Sequence, residues 1–348
     1  MSGSMVQRGE CAIYDKWQRA KEAVKAGADL VIELPAYYVL QSADVFAKGA
    51  VEILDRCKIV DAISFGCELG NTDKLYEIAD IMSWESYNSS VKEFINMGQS
   101  YPKACENALL RFLPDANEDI FKPNNTLGIC YIKAIKNLGS KMKTLCVKRN
   151  NDYHSDKTND EYMSASQIRK MIVNNEDYSK YADMCSDKSL YLIKNAETYI
   201  LGTLRNSSAD KLRKIKGYED GLGELIINSA KKACTLDELF EMCVSKRYTL
   251  HRIKRFVMCA MLDISYEEKA EYVRVLAIGK NGGKLLKEIK EKSDLSIITK
   301  LADYKSSNLM IKTDIAASDF AALCAEDVKL RYGGKDYTTT PYIKKSSQ

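Results

Sequence analysis

The segment from Asp15 to Phe65 alternates helix and strand signals, and that alternation constrains the chain more than any other feature. Asp15 can cap a helix through roughly Ala26, Gly27 is its stop signal, and Ala28-Asp-Leu-Val-Ile-Glu33 reads as a buried strand ended by Pro35. Ser42 caps a second amphipathic helix to about Cys57, and Ile59 to Phe65 gives a second strand running into the polar loop Gly66 to Thr72. This order predicts a parallel sheet with crossover helices, whose ligands sit beyond the carboxyl ends of the strands. Gly66 lies at one such end.

Helical patterning follows from Thr72 to about Leu113, and Pro123-Asn-Asn125 opens another helix that runs to Asn137 with Gly139 behind it. Met142 to Lys148 returns as a strand, and after a polar loop Ser164-Ala-Ser166 leads into the short helix Gln167 to Ile172. From about Asn174 helices dominate to about Leu262. A small β-α-β element then reads as strand Tyr272 to Ile278, turn Gly279 to Gly283, helix Lys284 to Lys292 and strand Leu295 to Thr299. The expected fold is α/β: a Rossmann-like parallel-sheet domain over 1–173, a mostly helical domain with a small β-α-β element over 174–332, and a frayed polar tail over 333–348.

A length of 348 residues exceeds the usual single-core range, which also argues for two domains. Hydrophobic residues at 45% and charged residues at 29% exclude global disorder. The eleven cysteines form no C-x-x-C pair and leave an odd one over, so neither a zinc site nor a disulfide framework is indicated, and a reducing cytoplasm fits. No run approaches the ~18 apolar residues of a membrane span. A net charge of +4 permits an anionic partner such as RNA without demanding one.

Two places on the α/β half suit phosphate: Lys148-Arg149 at a strand end, and Ser164-Ala-Ser-Gln-Ile-Arg169 at a helix start. Helix-opening N–H groups attract anions, serine hydroxyls add donors, and Arg169 lies one turn in. Spacing alone leaves the commoner alternative open, an ordinary N-cap with a surface arginine. Asn124 and Asn125 could present amides to a base or ribose, with a cap as the default reading. His154 is a lone loop histidine, and nothing in the spacing sets up a hydrolytic triad. Gly279 to Lys284 falls one residue short of a P-loop and has Leu285 where a hydroxyl would hold magnesium, so it reads as a turn. In Lys246 to Phe256, basic groups interleave with Tyr248, His251 and Phe256, a mixture that suits either single-stranded RNA or an amphipathic helix with a charged edge.

Taken together, Met1 to Glu10, Asp15-Lys-Trp17, Ala28 to Pro35, Lys122-Pro-Asn-Asn125, Asp152-Tyr-His154, Ser164 to Arg169, Lys246-Arg-Tyr248 and Ile297 to Tyr304 occur in the order found in one family. Along nearly its whole length the chain resembles the bacterial tRNA(Met) cytidine acetate ligases, members of the nucleotidyltransferase superfamily. The resemblance implies that acetate attacks ATP to give acetyladenylate, and that the N4 amine of the wobble cytidine of elongator tRNA(Met) then takes the acetyl group. It implies an ATP site at Gly66, Asn124, Arg149 and Asn150, with Ser164, Ser166 and Arg169 as a second phosphate-binding motif and magnesium accompanying ATP. Lys246, Arg247, Arg252 and Arg255 become the tRNA contacts. No protein-held metal is expected.

The family pattern also implies a β-α-β unit of roughly 30 residues before the match to Met1: a strand, an H-x-G-H turn, a helix and a second strand that ends near Met1. Its histidines, which the superfamily uses on the ATP phosphates, have no equivalent in His154 or His251, so no catalytic residue is assigned. A fragment or misplaced start is the first explanation. Two other functions remain open: an inactive tRNA-binding relic, and a small-molecule adenylyltransferase of the same superfamily.

Overall fold

The computed structural model describes residues 1–116, 118–149, 163–181, 189–305 and 307–344. The chain begins with the antiparallel pair β1 (Met5–Val6) and β2 (Glu10–Cys11), followed by α1 (Lys16–Lys25), β3 (Leu30–Ile32), α2 (Ala36–Val39) and α3 (Ala43–Arg56). Next come β4 (Ala62–Cys67), α4 (Thr72–Ile81), α5 (Glu85–Asn96), α6 (Tyr101–Phe112), α7 (Pro123–Leu138), β5 (Lys143–Lys148) and α8 (Ala165–Val173). The remainder holds α9 (Glu197–Arg205), α10 (Ala209–Arg213), α11 (Leu222–Lys232), α12 (Leu236–Cys243) and α13 (Leu250–Met261). It ends with β6 (Tyr272–Ile278), α14 (Gly282–Lys292), β7 (Ser296–Ile298), α15 (Leu309–Leu323), α16 (Lys335–Thr338) and β8 (Tyr342–Ile343). Among the described residues no helix is long and apolar enough to cross a membrane.

Two compact units emerge, Met1–Ile59 with Asp187–Gln348, and Val60–Ser186, so the division departs from the expected 1–173 and 174–332. The reason is a single strand pairing. β3 lies antiparallel to β6, with Leu30 opposite Ile278 and Val31 opposite Ala277, which draws the amino-terminal segment into the carboxyl-terminal unit. The parallel sheet predicted from Asp15 to Phe65 therefore does not include β3. Its alternation was read correctly as helix and strand, but alternation cannot say which sheet a strand joins.

In the first unit, β6 is the buried centre of a four-stranded sheet, with β7 and β8 parallel to it and β3 antiparallel. Ala20 and Val24 of α1 pack on Val31, Leu276 and Ala277. The supposed P-loop is a turn, as expected: Asp29 accepts from the Gly279 N–H through its carbonyl and from the Asn281 N–H through its carboxylate. The tail is not frayed over 335–343. It forms α16 and β8, and Asp336 is buried against Lys16 and Arg274 at 2.8 and 3.0 Å. Lys16 also holds both Glu33 oxygens at 3.0 Å. Nearby, Asp314 accepts from the Ala36 N–H and the Tyr272 hydroxyl. A polar tail sequence gave no sign of this ionic anchor.

The second unit is built on β4 and β5, parallel and in register from Ala62–Lys143 to Cys67–Lys148. Helix α7 lies close over β4 because Gly128 has no side chain: a Cβ there would meet the Phe65 ring at 2.5 Å. Leu75, Ile78, Ala104, Ala108, Leu109 and Ile132 complete the core. Cys67 and Cys146 form a disulfide across the two strands, with Cα atoms 6.2 Å apart, contrary to the expectation of none. The partners are 79 residues apart in sequence, so only the strand pairing reveals them.

Candidate functional site

The end of β4, the start of α7 and the end of β5 converge in the second unit. Arg149 continues the ladder beyond β5, its N–H donating to the Cys67 carbonyl at 2.9 Å. Its side chain lies along Gly66, where a Cβ would sit 3.3 Å from Cγ, close enough that Arg149 would have to shift by a few tenths of an ångström. Arg149 Nε is buried and has no hydrogen-bond partner among the described residues. A buried cationic donor without an acceptor is costly unless a ligand supplies one.

Lys122 is the N-cap of α7 and Pro123 its first residue, so Asn124 and Asn125 stand inside the first turn and do not cap it, contrary to the default reading. Instead they reach back to the loop after β4. Asn125 Oδ1 accepts from the N–H groups of Glu68 and Leu69 at 2.9 and 3.1 Å. The Glu68 carboxylate accepts from Asn124 Nδ2 at 2.7 Å and from the Asn125 N–H at 2.9 Å. Asn125 is fully buried. Sequence reasoning missed Glu68: its partners lie 56 and 57 residues away, and a glutamate in a polar loop carries no spacing signal.

On α8, Ser164 is the N-cap and forms a capping box with Gln167, which occupies its hydroxyl oxygen as the commoner reading anticipated. Arg169 donates to the Ser166 hydroxyl at 2.9 Å. Asn150 and His154 lie outside the described residues.

The basic segment belongs to the first unit. Arg247 and Arg252 flank the Tyr248 ring at 5.2 and 5.3 Å, and both pair with Glu219. Arg255 donates to the Gln7 carbonyl at 3.3 Å, and burial depresses its pKa. Lys246 is exposed. Tyr248 and Phe256 are buried, so they serve the core of α13 and its neighbours and present no ring for base stacking, which corrects that part of the RNA reading.

Residues 1–336 match the family described as HIGH Nucleotidyl Transferase. The tRNA(Met) cytidine acetate ligase of Caldanaerobacter subterraneus subsp. tengcongensis is 37% identical over 93% of this chain and 86% of its own length. That of Thermoanaerobacter sp. strain X514 is also 37% identical, over 99% of this chain and 91% of its own. The chain belongs to the tRNA(Met) cytidine acetate ligase family. Its fold agrees: the crystal structure of Thermotoga maritima TmcAL bound with alpha-thio ATP superimposes with a TM-score of 0.87 at 26% identity, covering 99% of this chain and 91% of that one. The mixed α/β, mostly helical architecture is thus common to both.

Proposed function

We propose that the chain activates acetate with ATP and acetylates N4 of the wobble cytidine of elongator tRNA(Met). A carboxylate oxygen of acetate attacks the α-phosphorus and pyrophosphate leaves. The cytidine amine then attacks the acetyl carbon and AMP leaves. Such chemistry asks the protein for positioning and charge neutralisation, with no side-chain nucleophile. The observation that carries the reading is Arg149, a half-buried cation whose buried Nε has no acceptor among the described residues, beside Gly66 at the end of a parallel strand pair.

In this reading Gly66, Asn124, Arg149 and Asn150 take the nucleotide, and Ser166 and Arg169, with the Ser164 cap beneath them, supply the second phosphate contact. In this reading the parallel β4–β5 pair belongs to a Rossmann-like nucleotide-binding fold. Magnesium enters with ATP, because an ATP-bound Mg²⁺ is held chiefly by phosphate and water. Of the basic residues, Lys246 and Arg247 face solvent and serve as tRNA contacts, while Arg252 and Arg255 brace the segment. A tRNA substrate places the protein in the cytoplasm.

The alternative is a protein that binds tRNA(Met) without activating acetate. Acetate-dependent exchange of pyrophosphate into ATP separates the two. Exchange together with transfer of labelled acetate to tRNA(Met) supports the ligase. Salt-sensitive tRNA binding without exchange supports the relic, and ATP exchange without any tRNA affinity points to a small-molecule adenylyltransferase.

A further inference from the structure

Glu68 occupies the place where a helix start would otherwise receive an anion. Its carboxylate takes the Asn125 N–H at 2.9 Å and lies 3.4 Å from the Asn124 N–H, so it answers donors that the first turn of α7 cannot bond internally. In return Asn125 Oδ1 accepts the N–H groups of Glu68 and Leu69. Loop and helix start are thereby fastened in both directions. A phosphate is not needed here, and the cation suited to it, Arg149, lies on the other strand.

The contact also settles how Asn124 is turned. The nitrogen and oxygen of an asparagine amide are hard to tell apart by shape, but an ionised carboxylate only accepts hydrogen bonds. Glu68 Oε1, 2.7 Å away, must therefore face Nδ2, which leaves Oδ1 as the amide atom that Glu68 does not engage. We propose that Glu68 is a positioning residue that holds Asn124 Oδ1 as an acceptor for a donor on the nucleoside half of the nucleotide, a ribose hydroxyl or the adenine amine. The proposal rests on the placement of Asn124 in the nucleotide site. It assigns that residue to the nucleoside and leaves the phosphates to Arg149 and α8.

The test is a cycle of three variants of the full chain. In Asn124→Asp two carboxylates face each other and the urea midpoint falls. In Glu68→Gln the new amide can meet the Asn124 oxygen, which turns Nδ2 to the side that Oδ1 held. In the double variant the introduced amide donates to one oxygen of the introduced carboxylate while the other oxygen again takes that side, so both the midpoint and ATP affinity recover toward those of the unsubstituted chain. Calorimetry with ATP, 2′-deoxy-ATP, 3′-deoxy-ATP and inosine triphosphate reads the acceptor. One analogue binds the unsubstituted chain about tenfold more weakly than ATP, the scale of one lost hydrogen bond, and that ratio collapses toward one in Glu68→Gln. A deoxy analogue identifies the ribose and inosine triphosphate the adenine amine.

Ratios that survive Glu68→Gln overturn the proposal, as does a double variant no more stable than Asn124→Asp. If the unsubstituted chain binds no ATP, the nucleotide reading fails and the acceptor role with it. The urea cycle then decides the clasp by itself.

Discussion

Replacing Lys16 with methionine isolates the ionic anchor of the first unit. The Lys16 ammonium lies 3.0 Å from both Glu33 oxygens and 2.8 Å from Asp336, and all three side chains are at most 2% exposed. Methionine fills much of the volume but removes the charge, leaving Glu33 with only the fields of Arg19 and the Met1 ammonium and Asp336 with Arg274 alone. Removing one partner from a buried ion pair costs about 3–5 kcal/mol, against about 5–15 kcal/mol of total stability. With a urea slope near 2–3 kcal/mol/M, the midpoint falls by about 1–2 M. Trp17 sits beside the cluster and the other tryptophan, Trp84, lies in the second unit, so Trp17 emission in a Trp84→Phe background follows the first unit alone.

The pH dependence sharpens the test. Burial works against the Lys16 charge, but Glu33 and Asp336 override it and hold its pKa above the ordinary value. Its contribution is fully present below about pH 10.5 and fades only above that. Between pH 8 and 5 the unsubstituted chain keeps the cation, so the deficit of the variant is present throughout that window. A deficit under about 1 kcal/mol at pH 8 refutes the claim that Lys16 neutralises this cluster.

Four further outcomes are expected. Arg149→Ala weakens ATP binding by tenfold or more and leaves tRNA affinity within about twofold, a loss on the scale of a charged hydrogen bond; equal losses in a folded protein contradict the division of roles. Burial, followed by the nearby Glu33, raises the Asp314 carboxyl to about 7, so the folded chain retains a proton that the unfolded chain releases from about pH 4 upward. Stability therefore falls from about pH 4 to 7 and levels off above, and Asp314→Asn flattens that slope in urea midpoints. Reducing Cys67–Cys146 opens a loop spanning 79 residues and lowers stability by up to about 4.5 kcal/mol, read as a melting shift with dithiothreitol that a Cys67→Ser, Cys146→Ser variant lacks. Lys246→Glu weakens tRNA binding and reduces its logarithmic salt slope by about one or more; an unchanged slope removes Lys246 from the interface.

Local elements were legible because their signals are local. Asp15 caps α1, Gly139 closes α7 in the left-handed conformation, and Ser164 caps α8, each where the sequence marks it. β5, β6, α14 and β7 fall within a residue or two of their expected bounds. What escaped depends on partners far along the chain. Val31 meets Ala277, Lys16 meets Asp336, Cys67 meets Cys146, and Glu68 meets Asn124. Charge patterning also misled: Tyr248 and Phe256 looked like stacking rings because their neighbours are basic, yet they are buried while the cations lie at the edge. Gly66 and Arg149 were placed by strand ends and by family likeness, whereas Glu68 needed the coordinates.

The β3–β6 pairing has a consequence for synthesis. About 245 residues separate the two strands, and at about 5–20 residues per second the ribosome needs roughly 12–50 s to deliver the second after the first. The segment Val60–Ser186 has its paired strands β4 and β5 in hand well before then. Meanwhile α1 and β3 wait with Ala20, Val24 and Val31 uncovered, open to nascent-chain chaperones. A ribosome that stalls before codon 272 releases a chain whose opening residues have no sheet to join.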